Sequence, residues 1–194
     1  MYRNLYLALI FSSVASLATT FQSPNGVTEE CRIIPHLAAG KYDIEDSEDE
    51  QKLCGIDFYA QNKVALCPKT WSTSPGTMVY DISASHLNQK DYEAQASCGG
   101  SKAGHEKITK FKQSMNASGT SGTYAASGLL YYHFSRYFDT SVKVPVTVYR
   151  SMDRQAHFDR VTNKAFTKNM GKGPMNKAGW KTLYTAEKTP STYR

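Results

Sequence analysis

Val142, Val144, Val146 and Val148 alternate with Lys143, Pro145, Thr147 and Tyr149, the two-residue period of a strand with one buried face. Pro145 has no N–H to donate, so the strand is expected at a sheet edge or to start after that residue. Upstream, Leu130, Phe134, Tyr137 and Phe138 fall at i, i+4, i+7 and i+8 within Tyr124–Phe138. That spacing predicts the main helix, with these four residues on its buried face and Ser127, Tyr131 and Ser135 turned elsewhere. Lys107–Lys112 reads as a short extended segment, and Asn116–Thr123 as a polar, mobile stretch.

The pattern is more broken elsewhere. Ile56, Phe58, Val64 and Leu66 between Cys54 and Cys67 predict a short hairpin that Pro68 ends, and Trp71–Gly76 a turn leading to a strand at Thr77–Tyr80. Asp43–Glu50 packs six acids into eight residues, which repel one another and are expected in solvent as a loop or a frayed helix end. The run lacks the spaced acids, central Gly and terminal Glu of a calcium loop. After Arg150, Met152–Phe166 has helical character, Met170–Met175 breaks the chain, and Lys177–Lys188 makes at most a short basic helix around Trp180 and Leu183. The expectation is an α+β fold with a small mixed sheet and one main helix.

Composition narrows the class. The chain has 194 residues, 40% hydrophobic and 12% aromatic, enough for one ordinary domain and too little for a large multidomain enzyme. A mean hydropathy of −0.50 excludes a polytopic membrane protein, and the aromatic content excludes a typical disordered chain. Arg3, the apolar run Leu5–Val14 and the small residues Ser16 and Ala18 form a secretory signal peptide pattern with cleavage after Ala18. The mature chain is therefore expected from Thr19, secreted or periplasmic, with no membrane span.

Four cysteines, Cys31, Cys54, Cys67 and Cys98, lie in the first half. In an oxidising space they predict two disulfides with three possible pairings, stapling a strand-rich segment over residues 19–97. None has a close partner of zinc-ligand spacing, and His36, His86 and His105 add none, so no metal site is expected. His133 has no second ligand one turn away and is read as a packed or half-exposed histidine and not a ligand.

Charge is distributed unevenly: residues 1–100 carry 7 basic and 12 acidic side chains, residues 101–194 carry 16 and 5. The basic half calls for an anionic partner, which could be phosphate, nucleic acid, anionic lipid or the acidic half itself. Lys164, Lys168, Lys172, Lys177, Lys181 and Lys188 surround Trp180 and Tyr184 in a manner suited to a polyanion. In an exported chain an anionic surface or protein partner fits better than nucleic acid. A serine hydrolase is disfavoured, because no G-x-S-x-G elbow exists and Gly119–Gly122 lacks the flanking strand and helix. Asn116-Ala-Ser118 satisfies the N-glycosylation rule.

Gly99, Gly100, Ser101, Lys102 and Ala103 form a glycine-rich loop, followed by Lys110-Phe111-Lys112, the helix ending Tyr-His-Phe-Ser-Arg136-Tyr-Phe, and Val144-Pro145. This order resembles the N-lobe of the HipA-like kinases and of the secretory-pathway casein-kinase-type family, over residues 98–150. The resemblance implies ATP and Mg as cofactors, with Gly99, Gly100 and Ser101 near the phosphates and Lys110 or Lys112 holding them. Periodicity does not separate the two lysines, which share one side of a strand. Equally, Lys107, Lys110 and Lys112 fit the solvent-facing residues of an edge strand, where lysines discourage aggregation.

Two departures bear on catalysis. The helix has no acid before Asp139 to pair with the strand lysine, the expected place falling near Ser127 and Gly128. His157-Phe-Asp159-Arg-Val-Thr-Asn163 has the wrong spacing for a catalytic loop and follows too closely. The expectation is a kinase-like fragment that binds ATP and continues into a catalytic lobe beyond Arg194, with residues 151–194 a basic C-terminal segment. The competing expectation is a non-catalytic secreted protein whose basic half engages an anionic surface or partner.

Overall fold

The computed structural model describes residues 18–71, 74–95, 98, 106–113 and 126–189. The signal peptide pattern over Met1–Leu17, Gly99, Gly100 and Ser101 of the glycine-rich loop, and the Asn116 sequon lie outside the described residues.

Val64 to Pro68 form β3, buried along its whole length because both faces are covered. Val64 and Leu66 join Phe58, Val79, Val161, Ala165, Trp180 and Leu183 in one core. Ala65 and Cys67, on the opposite face, join Met78, Ile82, Tyr92 and Cys98 in a second. β4 (Thr77–Asp81) and β5 (Glu106–Phe111) complete an antiparallel sheet in the order β3-β4-β5. β5 is thus an edge strand of this sheet. Its register shifts between Val79 and Tyr80, which face Thr109 and Lys107 and leave Ile108 bulged.

A second antiparallel sheet orders β1 (Ala18–Gln22), β2 (Thr28–Arg32) and β6 (Tyr149–Arg150). Gly26 turns the β1-β2 hairpin at φ +75°, which glycine adopts without steric cost. The Ser23 hydroxyl fixes the same turn by accepting from the Asn25 and Val27 amides. The fold is α+β, with two small antiparallel sheets where one mixed sheet was expected. Each sheet takes two strands from before residue 100 and one from after it, so the two halves are interleaved.

The acidic run is a helix, not a solvated loop. α1 spans Ile44–Cys54 behind a capping box in which the Asp43 carboxylate accepts from the Asp46 amide (2.8 Å) and Asp46 accepts from the Asp43 amide (3.3 Å). Glu45 and Asp46 suit the positive end of the helix dipole, and Lys52 the negative end. Asp46 and Glu50 are buried, because α3 (Ala126–Tyr137) brings the groups that compensate them.

That packing reverses the expected face of α3. Tyr132, His133, Ser135 and Arg136 point inward, while Leu130, Phe134, Tyr137 and Phe138 are exposed, Phe138 to 66%. The inward neighbour is an acidic helix, so the polar stripe is the one that is buried. The predicted valine strand is also absent: residues 142–148 pair with no strand, and only Tyr149–Arg150 join β2. The segment is held instead by Arg136 Nη1 donating to the Val144 carbonyl (3.0 Å) and by Lys143 bonded to Asp43 (2.9 Å).

The predicted hairpin between Cys54 and Cys67 is corrected as well, since residues 55–63 form turns and the partner of β3 is β4. The short α2 (Gln89–Ala94) covers β3. The expected helical stretch after Arg150 is α4 (Arg154–His157), a π-helical turn (Phe158–Thr162) and α5 (Asn163–Thr167). The segment expected to give at most a short helix forms α6 (Pro174–Lys188), the longest described. Trp180 and Leu183 bury its inner side in the first core, which supplies the stabilisation that its lysine-rich sequence does not advertise.

Both disulfides are formed, Cys31–Cys54 tying β2 to the end of α1 and Cys67–Cys98 tying β3 to the chain after α2. Among the described residues no helix is long and apolar enough to cross a membrane, and no cluster of His, Cys, Asp or Glu could hold a metal ion.

Candidate functional site

Two groups of cationic side chains stand out on this protein. One group finds carboxylates from the acidic half: Arg136 pairs with Asp46, Arg150 with Glu29, Arg160 with Glu93, and the exposed Lys143 with Asp43. Part of the charge asymmetry in the sequence is therefore neutralised within the fold. The other group is gathered on the edge sheet and is not neutralised. Lys110 stands opposite Met78 in the register, and Met78 packs with Cys67 and Cys98. Lys110 is thereby on the face that carries the Cys67–Cys98 disulfide. Lys69, directly after β3, is joined through its amide to the Gly76 carbonyl (2.7 Å) and belongs to the same group.

The charges acting on Lys69 are Lys110, Lys112 and Lys107. Burial first, and then these like charges, hold the Lys69 ammonium below its ordinary pKa. Lys112 is lowered in the same way, by burial and then by Lys110. None of Lys69, Lys107, Lys110 and Lys112 has an ion pair among the described residues, a different situation from Lys41, Lys52 and Lys143 on the surface. Lysines that crowd one another without a carboxylate form an incomplete electrostatic arrangement that an anion would complete.

The sequence-predicted residues are partly assembled here. Lys110 lies on β5 and Lys112 just past its end. Cys98, which leads into Gly99, Gly100 and Ser101, is buried on the same face. The helix, which offers no acid to clamp the strand lysine, is committed elsewhere: the Arg136 guanidinium grips Asp46 and the Tyr132 hydroxyl donates to Glu50 (2.9 Å). His133 is packed, as expected, its Nδ1 2.7 Å from the Tyr42 hydroxyl. His157–Asn163, weighed as a catalytic loop, is helical.

His157 instead sits in a buried network that sequence reasoning missed. Its Nδ1 is 2.7 Å from Glu187 Oε1 and its Nε2 2.8 Å from the Thr77 hydroxyl, with the Gln113 amide nitrogen against the same Nε2. The connectivity is that of an acid, a base and a hydroxyl nucleophile. Thr77 is 0% exposed and His157 2%, so no substrate reaches the hydroxyl. The network is a polar tie between β4, α4 and α6. No local motif could have revealed it, since Thr77, Gln113, His157 and Glu187 come from four separate segments.

A second feature lies along the inner side of β5. A cavity of about 420 Å³ is lined along this strand by Thr109, Lys110, Phe111, Lys112 and Gln113, with Ile56, Phe58, Leu129, Val146 and Val148 among its apolar walls and Arg150 also in the lining. Its volume is within the usual range for small-molecule sites. Phe111 meets Phe58 edge-on, ring centroids 5.7 Å apart, so the aromatic wall is continuous.

An α+β protein in which two lysines of an unpaired group, Lys110 and Lys112, also line a cavity is what the fold defines. No protein-family model, no curated protein and no solved structure matches the chain.

Proposed function

We propose that this is an exported binding protein whose lysine face on β5 receives a phosphate-bearing anion. The observation that carries the reading is the group Lys69, Lys107, Lys110 and Lys112, in which burial and then the like charges hold Lys69 and Lys112 below their ordinary pKa and whose members have no ion pair among the described residues. A polyphosphate chain supplies several negative charges at the spacing of neighbouring lysines and relieves that repulsion. The adjacency of Cys98 supports a contribution from the glycine-rich loop, whose backbone amides suit phosphate oxygens. Two disulfides and the signal peptide pattern support a secreted or periplasmic setting.

Nucleotide is the anion that the kinase resemblance would supply, and binding alone is the function proposed. Phosphoryl transfer would need an acidic clamp on the strand lysine and metal-holding residues; α3 offers no acid to Lys110. Isothermal titration with ATP, ADP and tripolyphosphate tests the reading. Binding should weaken at least tenfold in the Lys110→Ala/Lys112→Ala double variant and fall steeply with ionic strength. Unchanged affinity in the double variant would sink it.

A further inference from the structure

β5 is the edge strand of its sheet, and the cavity is not confined to one face of it. Residues on one face of a strand alternate, yet the consecutive residues Thr109 to Gln113 all belong to the lining. The cavity therefore meets the strand at its free edge, where both faces are within reach. Phe111 belongs to the core side, its ring packed on Phe58. Lys110 belongs to the other side, opposite Met78 of the second core. Ala126 and Leu129 from the first turn of α3 and residues 146–150 complete the walls.

The charge of this lining has one sign. Lys110, Lys112 and Arg150 are its charged members, and no Asp or Glu belongs to it among the described residues. Arg150 is answered by Glu29 at 3.3 Å. Lys112 is half-buried, and the charge that acts on it is that of Lys110. Two ammonium groups that feel each other and meet no carboxylate match the double charge of a phosphate monoester better than the single charge of a carboxylate.

Polar side chains of the wall are partly engaged within the protein. The Thr147 hydroxyl donates to the Pro145 carbonyl (3.1 Å), and the Gln113 amide nitrogen donates to the Thr77 hydroxyl (2.6 Å). Few groups are left for the edge of a nucleobase, which is read by paired donors and acceptors. An aliphatic body asks for none. Ile56, Phe58, Leu129, Val146 and Val148 supply apolar surface for it, and about 420 Å³ supplies the room.

We propose that the cavity and the lysines are one site for an amphipathic phosphate monoester, its aliphatic chain along Phe111, Leu129 and Val148 and its phosphate on Lys110 and Lys112. The proposal rests on the phosphate reading of the lysine face and narrows it to an anion that carries an apolar chain. Burial of the chain anchors a head group that lysines in water alone hold weakly.

The test titrates the disulfide-bonded chain calorimetrically with methyl phosphate, decanoate, tripolyphosphate and decyl phosphate, the last below its micellar concentration. Decyl phosphate should bind with one equivalent and about a hundredfold or more tightly than methyl phosphate, since each buried methylene contributes about a factor of four. It should also bind more tightly than decanoate. Equal affinity of the two phosphate esters, or of decyl phosphate and decanoate, overturns the proposal on the unaltered protein. Tripolyphosphate should compete with decyl phosphate, and Lys110→Ala/Lys112→Ala should weaken decyl phosphate at least tenfold; simultaneous binding, or an indifferent double variant, overturns the shared site. Leu129→Trp fills the cavity and should bring decyl phosphate down to the affinity of methyl phosphate, whereas chain selectivity that survives would place the chain elsewhere and overturn the assignment. Capture of the protein on phosphatidate vesicles without binding of dispersed decyl phosphate would assign the lysines to a membrane surface and overturn the enclosed site. Lysine-dependent binding of tripolyphosphate without chain selectivity sinks this inference alone. Absence of lysine-dependent binding by every phosphate sinks the lysine reading as well.

Discussion

Arg136 on α3 and Asp46 on α1 form a two-pronged ion pair, Nη2 to Oδ1 at 2.6 Å and Nε to Oδ2 at 2.8 Å, with both side chains at most 6% exposed. The pair joins the acidic first half of the chain to the basic second half. The planar guanidinium is matched edge-on by the carboxylate, a geometry that lysine could not reproduce. The Ser135 hydroxyl and the Val144 carbonyl accept from Nη1 (2.8 and 3.0 Å), so Arg136 organises the chain beyond α3 as well.

Asp46→Ala should therefore destabilise the protein by about 3–5 kcal/mol in urea unfolding, the cost of stranding a buried partner charge. Arg136 holds the Asp46 carboxyl below its ordinary pKa of 3.8, by hydrogen bonding more than by charge. A depressed carboxylate contributes stability that is present above the unfolded pKa and lost as pH falls through the folded one. Acid unfolding of the parent should accordingly show a component below pH 3.8 that Asp46→Asn lacks. A parent and variant with superimposable acid transitions would contradict this.

The two faces of α3 should respond oppositely to substitution. Phe138→Ser should change stability by no more than about 0.5 kcal/mol, as for a surface site. Tyr132→Phe removes the hydroxyl that donates to buried Glu50 and should cost about 1–3 kcal/mol. Denaturant midpoints of the two variants decide the matter, and a larger loss for Phe138 would restore the face expected from periodicity.

Non-reducing peptide mapping should recover Cys31 with Cys54 and Cys67 with Cys98. The bridges span sequence separations of 23 and 31 residues. Replacing either pair with serine should lower stability by about 3–4 kcal/mol on the chain-entropy account. Little change on replacing Cys67 and Cys98 would mean that α2 is held to β3 by its other contacts alone, among them Glu93 accepting from the Leu66 amide (2.7 Å).

Lys164 should titrate apart from the other lysines. Its amine contacts the Glu93 carbonyl and lies 3.4 Å from Cys98 Sγ. Burial lowers its pKa to about 8, with Glu93 opposing and Lys168 and Arg160 adding to the fall. NMR of reductively methylated protein should show one lysine resonance with a midpoint near that value. Between that midpoint and the ordinary lysine value of 10.5 the unfolded chain holds more protons, so this group alone makes stability rise with pH across the window. A Lys164 resonance titrating with the exposed lysines would refute the assignment.

Local pattern determined a definite part of this protein. Thr77–Tyr80 and Lys107–Lys112 were legible as strands, Met152–Phe166 as helical, the break at Met170–Met175 as a break, and the four cysteines as two bridges. Those features depend on neighbours in sequence or on the chemistry of one residue type, so a short window contains their cause. Lysines along β5 were equally legible as edge residues or as an anion site, because both readings place them on an unpaired side of a strand.

Only the tertiary structure decided which faces are buried and what the buried charges meet. The acids of α1 become a folded helix because Arg136, ninety residues away, answers Asp46; the aromatic stripe of α3 stays outside for the same reason. Residues 142–148 have a strand's alternation but pair with no strand, and only at Tyr149 does the chain join β2. Arg150 meets Glu29, 121 residues away in sequence, a pairing that no window around Arg150 contains. Hydrophobic period reports what a segment could bury, whereas burial itself is settled by the partner that the rest of the chain delivers.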